Sequence, residues 1–338
     1  MARKLKISEK TKCGVPPFTF HREFKKRFRS LFGVETVYHY TTTPVLLELA
    51  KDDACLYATH CSALNDDMEL EVGVRYALQE YLPTHQKKLY CRLKHDWPEV
   101  ITALESKEEP FSPKCSASTF LLTPWVMSFS RESDSLNQWI AYTNRKEGGF
   151  AIGFDFHKLE KAVESEVVVR RSKYEFDKRA LDYELHFLPC LYLDKSDKHQ
   201  MQLIHKFLEF LFVDYFAYQL KKFKIHDRKD VAYLIVAFAN LFGAITKNAS
   251  FKSENEFRLL MLVKNKEYLR NVVFVGGKPR LKIPIFSVVK EDVRSLIKNI
   301  VISPHGDIRF LRSMVDVIGI KYNLDIDVYK SESPFNGR

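Results

Sequence analysis

The sequence predicts an α+β fold in which a mixed β-sheet core carries a helical insertion. Strand-like runs fall into two blocks, one before about residue 192 and one after residue 255. Between them, 197–223 and 229–249 place aromatic and aliphatic residues at helical spacing. With 338 residues, 46% of them hydrophobic, the chain can bury a core for one large domain with a substantial insertion. Segregated strands and helices, rather than a strict alternation, are the α+β pattern.

The elements follow in order. Val34–Tyr40 (VETVYHY) reads as a strand. Thr41-Thr-Thr-Pro44 then opens a helix to about Lys51, the threonines capping it and Pro44 suiting its first turn. Ala54–Thr59 is a short strand. Asn65-Asp-Asp67 starts a longer helix with Met68, Val72, Tyr76 and Leu78 inward, and a polar helical stretch covers 85–107. Two prolines make 108–119 a loop. Pro124–Ser130 is a strand, Ser133–Asn144 a helix with an acidic start, and Gly148–Phe154 a strand. Val167–Tyr174 and Leu185–Tyr192 read as strands around a charged turn at Glu175–Tyr183. The helical hairpin follows, with Phe207, Phe210, Leu211, Asp214, Tyr215 and Tyr218 recurring on its first arm. Val231, Leu234, Ile235, Phe238 and Leu241 recur on its second. This aromatic stripe fits a core better than a cofactor box. Asn255–Val263, Val272–Val275 and a run from Lys278 to about Val289 are strands. Val293–Lys298 reads as helix, Ile300–Ser303 as strand, Asp307–Ile318 as helix and Asp325–Val328 as strand.

The formal charge is +10, and residues 1–30 hold ten Lys/Arg against two Glu, a local +8. Residues 1–33 therefore read as a basic N-terminal arm and 34–338 as the domain, with the insertion at about 197–249. The arm suits either contact with a polyanion such as nucleic acid or a solvated tail. Its Val15-Pro-Pro-Phe-Thr-Phe20 stretch suits docking on its own body or on a partner chain. Six scattered cysteines form no C-x-x-C pair, which favours free thiols in a reducing compartment. No apolar run reaches the ~18 residues of a membrane span, and the basic start lacks an apolar signal core. A cytoplasmic protein is expected, with no membrane partner.

A P-loop, G-x-G-x-x-G, H-E-x-x-H and nucleophile elbow are all missing from the sequence, which weakens the ATPase, Rossmann, zinc-protease and α/β-hydrolase classes. Three segments remain as carriers of chemistry. His39, within Tyr38-His-Tyr40, can offer a ring nitrogen to a ligand or serve as a core histidine bonded to backbone; alternation turns Tyr38 and Tyr40 the other way. Ser128 and Ser130 share one strand face, and Trp139 and Tyr142 share a helix face. Together they suit a sugar hydroxyl and a flat ring, or a helix cap and core packing. Glu254, Glu256 and Arg258 lie on one face if the segment is a strand. Half-buried, they form a polar site with one carboxylate ordered by Arg258; exposed, they are an edge ladder.

Taken in order, these segments resemble a bacterial family of unknown function whose fold is similar to that of the ADP-ribosyltransferases. The residues that carry the resemblance are Val37-Tyr-His-Tyr-Thr41, Leu56-Tyr-Ala-Thr59, Ala63-Leu-Asn-Asp66, Val126-Met-Ser-Phe-Ser130, Asp134-Ser135, Trp139-Ile-Ala-Tyr142, Gly149-Phe-Ala-Ile-Gly-Phe154, Phe251-Lys-Ser-Glu-Asn-Glu-Phe-Arg258 and Ser331-Glu-Ser-Pro-Phe335. It spans roughly 34–335, with the helical middle contributing little. The resemblance implies a split mixed sheet and an NAD site. In that site His39 holds the adenosine ribose or the nicotinamide amide side, and Ser128 and Ser130 line the nicotinamide pocket. Trp139 or Tyr142 supplies an aromatic wall, Glu256 is catalytic and Glu254 lies on the substrate side. Tyr40 and Arg258 count among the cofactor contacts. Phe129 stands where that family has threonine, His39 with serines mixes its two common triads, and Arg258 is close enough in sequence to neutralise a glutamate. Cleaving the nicotinamide–ribose bond builds oxocarbenium character that a carboxylate stabilises, and no metal is needed. The implied activity is transfer of ADP-ribose to a protein or nucleic acid, or NAD hydrolysis, in a bacterial toxin or anti-phage effector with an antitoxin or defence partner. A non-catalytic nucleotide- or nucleic-acid-binding module and a nucleoside N-glycosidase are the alternatives.

Overall fold

A single strand, β3 (Pro124–Ser130), organises the sheet. In the computed structural model, which describes residues 23–49, 51, 55–64, 70–105, 123–164, 183–222, 228–263, 266–275, 277–283 and 293–334, β3 pairs along its whole length with β8 (Glu256–Val263). Its opposite edge is shared. β1 (Thr36–Thr41) meets it at Tyr38↔Ser130, and β2 (Leu56–His60) meets it at Thr59↔Val126 and His60↔Trp125. A strand has only two edges, so β1 and β2 must diverge from one another there, and the sheet splits.

From the split, one wing runs β1–β4 (Phe150–Asp155)–β11 (Ile297–Ile302)–β12 (Asp327–Lys330). The other runs β2–β10 (Lys278–Ile283)–β9 (Val272–Val275). Behind β8 lies β5 (Tyr183–Pro189), which completes a ten-stranded mixed sheet. Only β11–β12 is parallel within it. A separate parallel pair joins β6 (Leu191–Leu193) to β7 (Thr246–Asn248). The fold is α+β, as the sequence predicts.

Helices pack on this sheet in the expected places, with informative exceptions. They are α1 (23–27), α2 (Thr43–Leu49), α3 (71–85), α4 (Lys87–Asp96), α5 (Pro98–Glu105), α6 (Leu136–Tyr142), α7 (156–164), α8 (198–222), α9 (Arg228–Ile245) and α10 (Ile308–Tyr322). The single polar helix expected over 85–107 is two helices. Trp97 precedes Pro98 and is driven out of helical geometry, and Pro98 then starts the next helix. Within α3, Pro83 lacks an N–H and crowds the carbonyl four residues back, and the preceding turn Tyr76–Tyr81 is widened to π geometry. Asp197 and Asp307 cap α8 and α10 by accepting from the second and third backbone N–H groups, at 3.0 and 3.1 Å and at 2.9 and 3.2 Å. Gly73 of α3 and Gly243 of α9 make their helices cross in direct contact; a Cβ on Gly73 would lie 2.9 Å from the Gly243 Cα.

Three expectations are corrected and one unassigned stretch is filled in. The second arm of the hairpin ends at Ile245, not 249, because Thr246–Asn248 pairs with β6 as a strand. The strand expected at 185–192 is two strands meeting at Cys190. The stretch 156–164, unassigned from sequence, is helical. The residues expected as helix at 293–298 form a short 3-10 turn and the start of β11. The expected strand at 167–174, most of the turn at 175–183, the loop at 108–119, the helix start at 65–67 with Met68, and residues 1–22 of the arm lie outside the described residues.

The last part of the N-terminal segment is packed. Phe24, Phe28 and Phe32 are buried; Phe24 stacks on Phe28 at 4.6 Å and meets Phe207 of α8 edge-on at 5.0 Å. Lys25–Glu160 and Arg27–Asp214 pairs flank this contact. Cys55, Cys61, Cys91 and Cys190 are free thiols. No helix among the described residues is long and apolar enough to cross a membrane.

His60, at the end of β2, is buried against Trp125, and burial lowers its pKa to about 4. The unfolded chain takes up this proton near pH 6.5, whereas the folded protein refuses it until about pH 4. Stability is therefore full above pH 6.5 and falls as the pH drops through that window, by about 3 kcal/mol from this residue. Urea denaturation at pH 7 and pH 4.5 checks this: His60→Asn should flatten the pH dependence, and an unchanged dependence contradicts the assignment.

Candidate functional site

The split in the sheet is also a cleft. Beyond the Tyr38↔Ser130 pair, β1 and β3 part, and the freed carbonyl of Ser128 accepts a hydrogen bond from His39 Nδ1–H at 2.9 Å. A side chain thus replaces a ladder bond. The carbonyl can only accept, so Nδ1 carries the proton. Burial lowers the pKa of His39, helped by the charge of Arg280 and opposed by the Ser128 bond. The ring is therefore neutral, and its Nε2 is an acceptor with no partner among the described residues.

Register decides which side chains share a face. Tyr38 stands opposite Ser130, and Ser130 opposite Glu256. Tyr38, Tyr40, Ser128, Ser130, Glu256 and Arg258 consequently lie on one face. His39 belongs to the other, where its ring meets Phe129 at 5.9 Å. The alternation expected from sequence holds, but the sides are exchanged. The tyrosines flank the serines, and His39 reaches the cleft through the split.

The cleft is narrow and open to solvent, and its walls include His39, Ser128, Ser130, Tyr142, Glu254 and Glu256. Tyr38, Tyr40 and Phe129 also line it, as does Gln138, which sequence reasoning missed. Gln138 and Tyr142 are four apart on α6 and share the cleft face. Trp139, one position on, faces away: it is fully buried, packs edge-on against Tyr40 at 4.7 Å, and donates its Nε1–H to Asp134 at 2.6 Å. Of the two aromatic walls considered, the cleft takes Tyr142. Tyr40 is held by its hydroxyl, which donates to the Glu132 carbonyl at 2.9 Å and accepts from the Ser135 N–H at 2.8 Å.

The serines have unequal roles. Ser130 Oγ donates to the Glu254 carbonyl at 2.8 Å and accepts from the Glu132 N–H at 3.1 Å, so it braces two turns. Ser128 is half-buried, and its hydroxyl helps to hold the Glu256 carboxyl in its charged form.

Glu256 opens β8, while Glu254 ends the preceding 3-10 turn; Asn255 between them is left-handed, with φ 45°. The expectation of a continuous strand through Glu254 is corrected by this break. Both carboxylates nonetheless converge on Lys247, a residue hidden from sequence reading inside what looked like helix. Lys247 Nζ pairs with Glu254 and, at 2.9 Å, with Glu256 Oε2. Arg258 grips Glu256 through Nε at 2.9 Å and Nη2 at 3.1 Å, and gives Nη1 to the Ala244 carbonyl at 2.6 Å. The Tyr192 hydroxyl accepts from the Glu256 N–H at 2.7 Å. Two carboxylates and two cations leave the group formally neutral. Burial pushes the Glu256 carboxyl up and Lys247 pulls it back down. Burial also works against the Lys247 charge, but Glu256 and Glu254 outweigh it and hold the ammonium well above its ordinary range. Burial and neighbouring Glu256 push the Cys190 thiol far up, so it stays protonated and is no nucleophile.

Residues 138–259, a little over a third of the chain, match a family described as "Protein of unknown function (DUF2971)". The match takes in Gln138, Tyr142, Lys247, Glu254, Glu256 and Arg258 but not His39 or Ser128. Neither the curated proteins nor the solved structures contain a match.

Arg258 is 1% exposed and pairs with a carboxylate that is itself buried. Removing one partner of such a pair strands the other, a loss of about 3–5 kcal/mol. Arg258→Met should destabilise the protein by that amount in urea denaturation. Adding Glu256→Gln to it should recover at least ~1 kcal/mol, as coupled neighbours do. Strict additivity would show that the pair is not coupled.

Proposed function

We propose that this cleft binds the nicotinamide–ribose half of NAD and that the protein is an ADP-ribosyltransferase-like enzyme, transferring ADP-ribose to a macromolecule or to water. The observation that carries the reading is the convergence of a neutral His39, the Ser128 hydroxyl and the Glu256 carboxylate on one small cleft at a split in the sheet. Each group suits a step. His39 Nε2 accepts from a ribose hydroxyl or the carboxamide. The Gln138 amide and the Tyr142 hydroxyl, neither with a partner among the described residues, are further groups for the carboxamide and the ring. Glu256 stabilises positive charge developing on the ribose as the nicotinamide leaves, and Ser128 fixes the carboxylate's orientation.

Free thiols and the absence of a membrane-spanning helix among the described residues support a cytoplasmic enzyme. The basic arm makes nucleic acid a fitting acceptor, and a role as a toxin or anti-phage effector follows from the resemblance. One observation favours a second reading. Lys247 and Arg258 already neutralise Glu256, which suits a module that binds the nucleotide without cleaving it.

Release of nicotinamide from NAD separates the two. Wild type should release it, Ser128→Ala should slow release, and Glu256→Gln should lower it about 10²–10³-fold, with folding checked by circular dichroism. Binding without release identifies the non-catalytic module. Equal release by wild type and Glu256→Gln sinks the catalytic role of this carboxylate.

A further inference from the structure

Arg280 is a cation that the site described above leaves unused. It stands opposite Thr59 in the β10–β2 pair, and Thr59 stands opposite Val126 of β3. Cross-strand partners share a face, so Arg280 lies on the face of Ser128 and Ser130, on the far side of the split from β1. Its guanidinium is half-buried. The Nε is fully enclosed, and among the described residues it meets no hydrogen-bond acceptor, nor does any carboxylate pair with the side chain. Arg258, by contrast, spends its donors on Glu256 and a carbonyl. The Arg280 charge is felt at His39 on the cleft wall.

A partly buried guanidinium without a counter-ion is unfavourable until an anion fills the space. Its planar fork matches the geometry of phosphate oxygens. We infer that Arg280 forms an anion subsite beside the cleft that takes a phosphate group of the ligand, a phosphoanhydride when that ligand is a dinucleotide. The identity of the ligand rests on the glycosyl-transfer reading, while the existence of the subsite does not. Arg280 stands on the β2–β10 side of the split, so the phosphates of a dinucleotide held there run across β2 and β10 rather than over β4 and β11.

Calorimetric titration of the full chain with inorganic pyrophosphate, NAD and nicotinamide riboside tests this. Arg280→Gln should weaken pyrophosphate and NAD by about 10- to 100-fold, the worth of a charge-assisted hydrogen bond or two. It should leave nicotinamide riboside, which carries no phosphate, unchanged. Arg280→Lys should recover part of the loss, and matching thermal melts exclude misfolding. The subsite is overturned if wild type does not bind pyrophosphate, if Arg280→Gln binds it as tightly as wild type, or if the riboside weakens equally. Arg280-dependent pyrophosphate binding without NAD binding supports the subsite and removes the NAD reading. NAD binding indifferent to Arg280 does the reverse.

Discussion

Everything that gives this protein a site depends on the edge of β3 that two strands must share. β8 occupies the other edge completely, so β1 and β2 each claim one end and leave the middle unpaired. An unpaired buried carbonyl there would be unfavourable by roughly 1–3 kcal/mol. The Nδ1–H of His39 satisfies the Ser128 carbonyl instead. That bond fixes the tautomer, leaves Nε2 as an acceptor, and links β1 to β3 where the ladder bond is missing. The histidine is therefore a structural group and a candidate ligand contact by the same geometry, and the two readings open from sequence are not rivals.

Electrostatics sets the second constraint. Taking Glu256 out of water is unfavourable by several kcal/mol, and the structure offsets this with Lys247, Arg258 and Ser128. The group is neutral overall, so a ligand cation developing near Glu256 competes with two resident cations for the same carboxylate. Glu254 bears on that balance, because it shares Lys247 and draws part of its charge away from Glu256. Catalysis and mere binding are separated by how this sharing shifts when a ligand arrives.

Much of this was legible in the sequence. Period-two runs located nearly all the strands, and Asp307 and Pro44 marked helix starts. The residues of the cleft were legible as types at ordered positions: His39, Ser128, Ser130, Tyr142, Glu254 and Glu256. Facing was not, because it depends on register across strands far apart in sequence. That is why alternation alone turns Tyr38 and Tyr40 away from His39 without saying which of them shares the serines' face, and why Trp139 and Tyr142 look equivalent when only Gln138 and Tyr142 of α6 turn to the cleft. Lys247 was hidden because Thr246–Asn248 continues the composition of α9, and only pairing with β6 takes it out of the helix. Arg280 carried no local signal, since its significance comes from the absence of a partner among the described residues.

The central claim, that the split edge of β3 forms a nucleoside cleft with His39 as an acceptor on its wall, is tested most directly by nitrogen-15 spectroscopy of the histidine rings during titration with nicotinamide riboside. The account predicts that His39 stays neutral with the proton on Nδ1 and that its Nε2 resonance moves on binding as it gains a donor. Binding that leaves His39 unmoved while shifting other histidines, or a His39 already charged in the free protein, would contradict it.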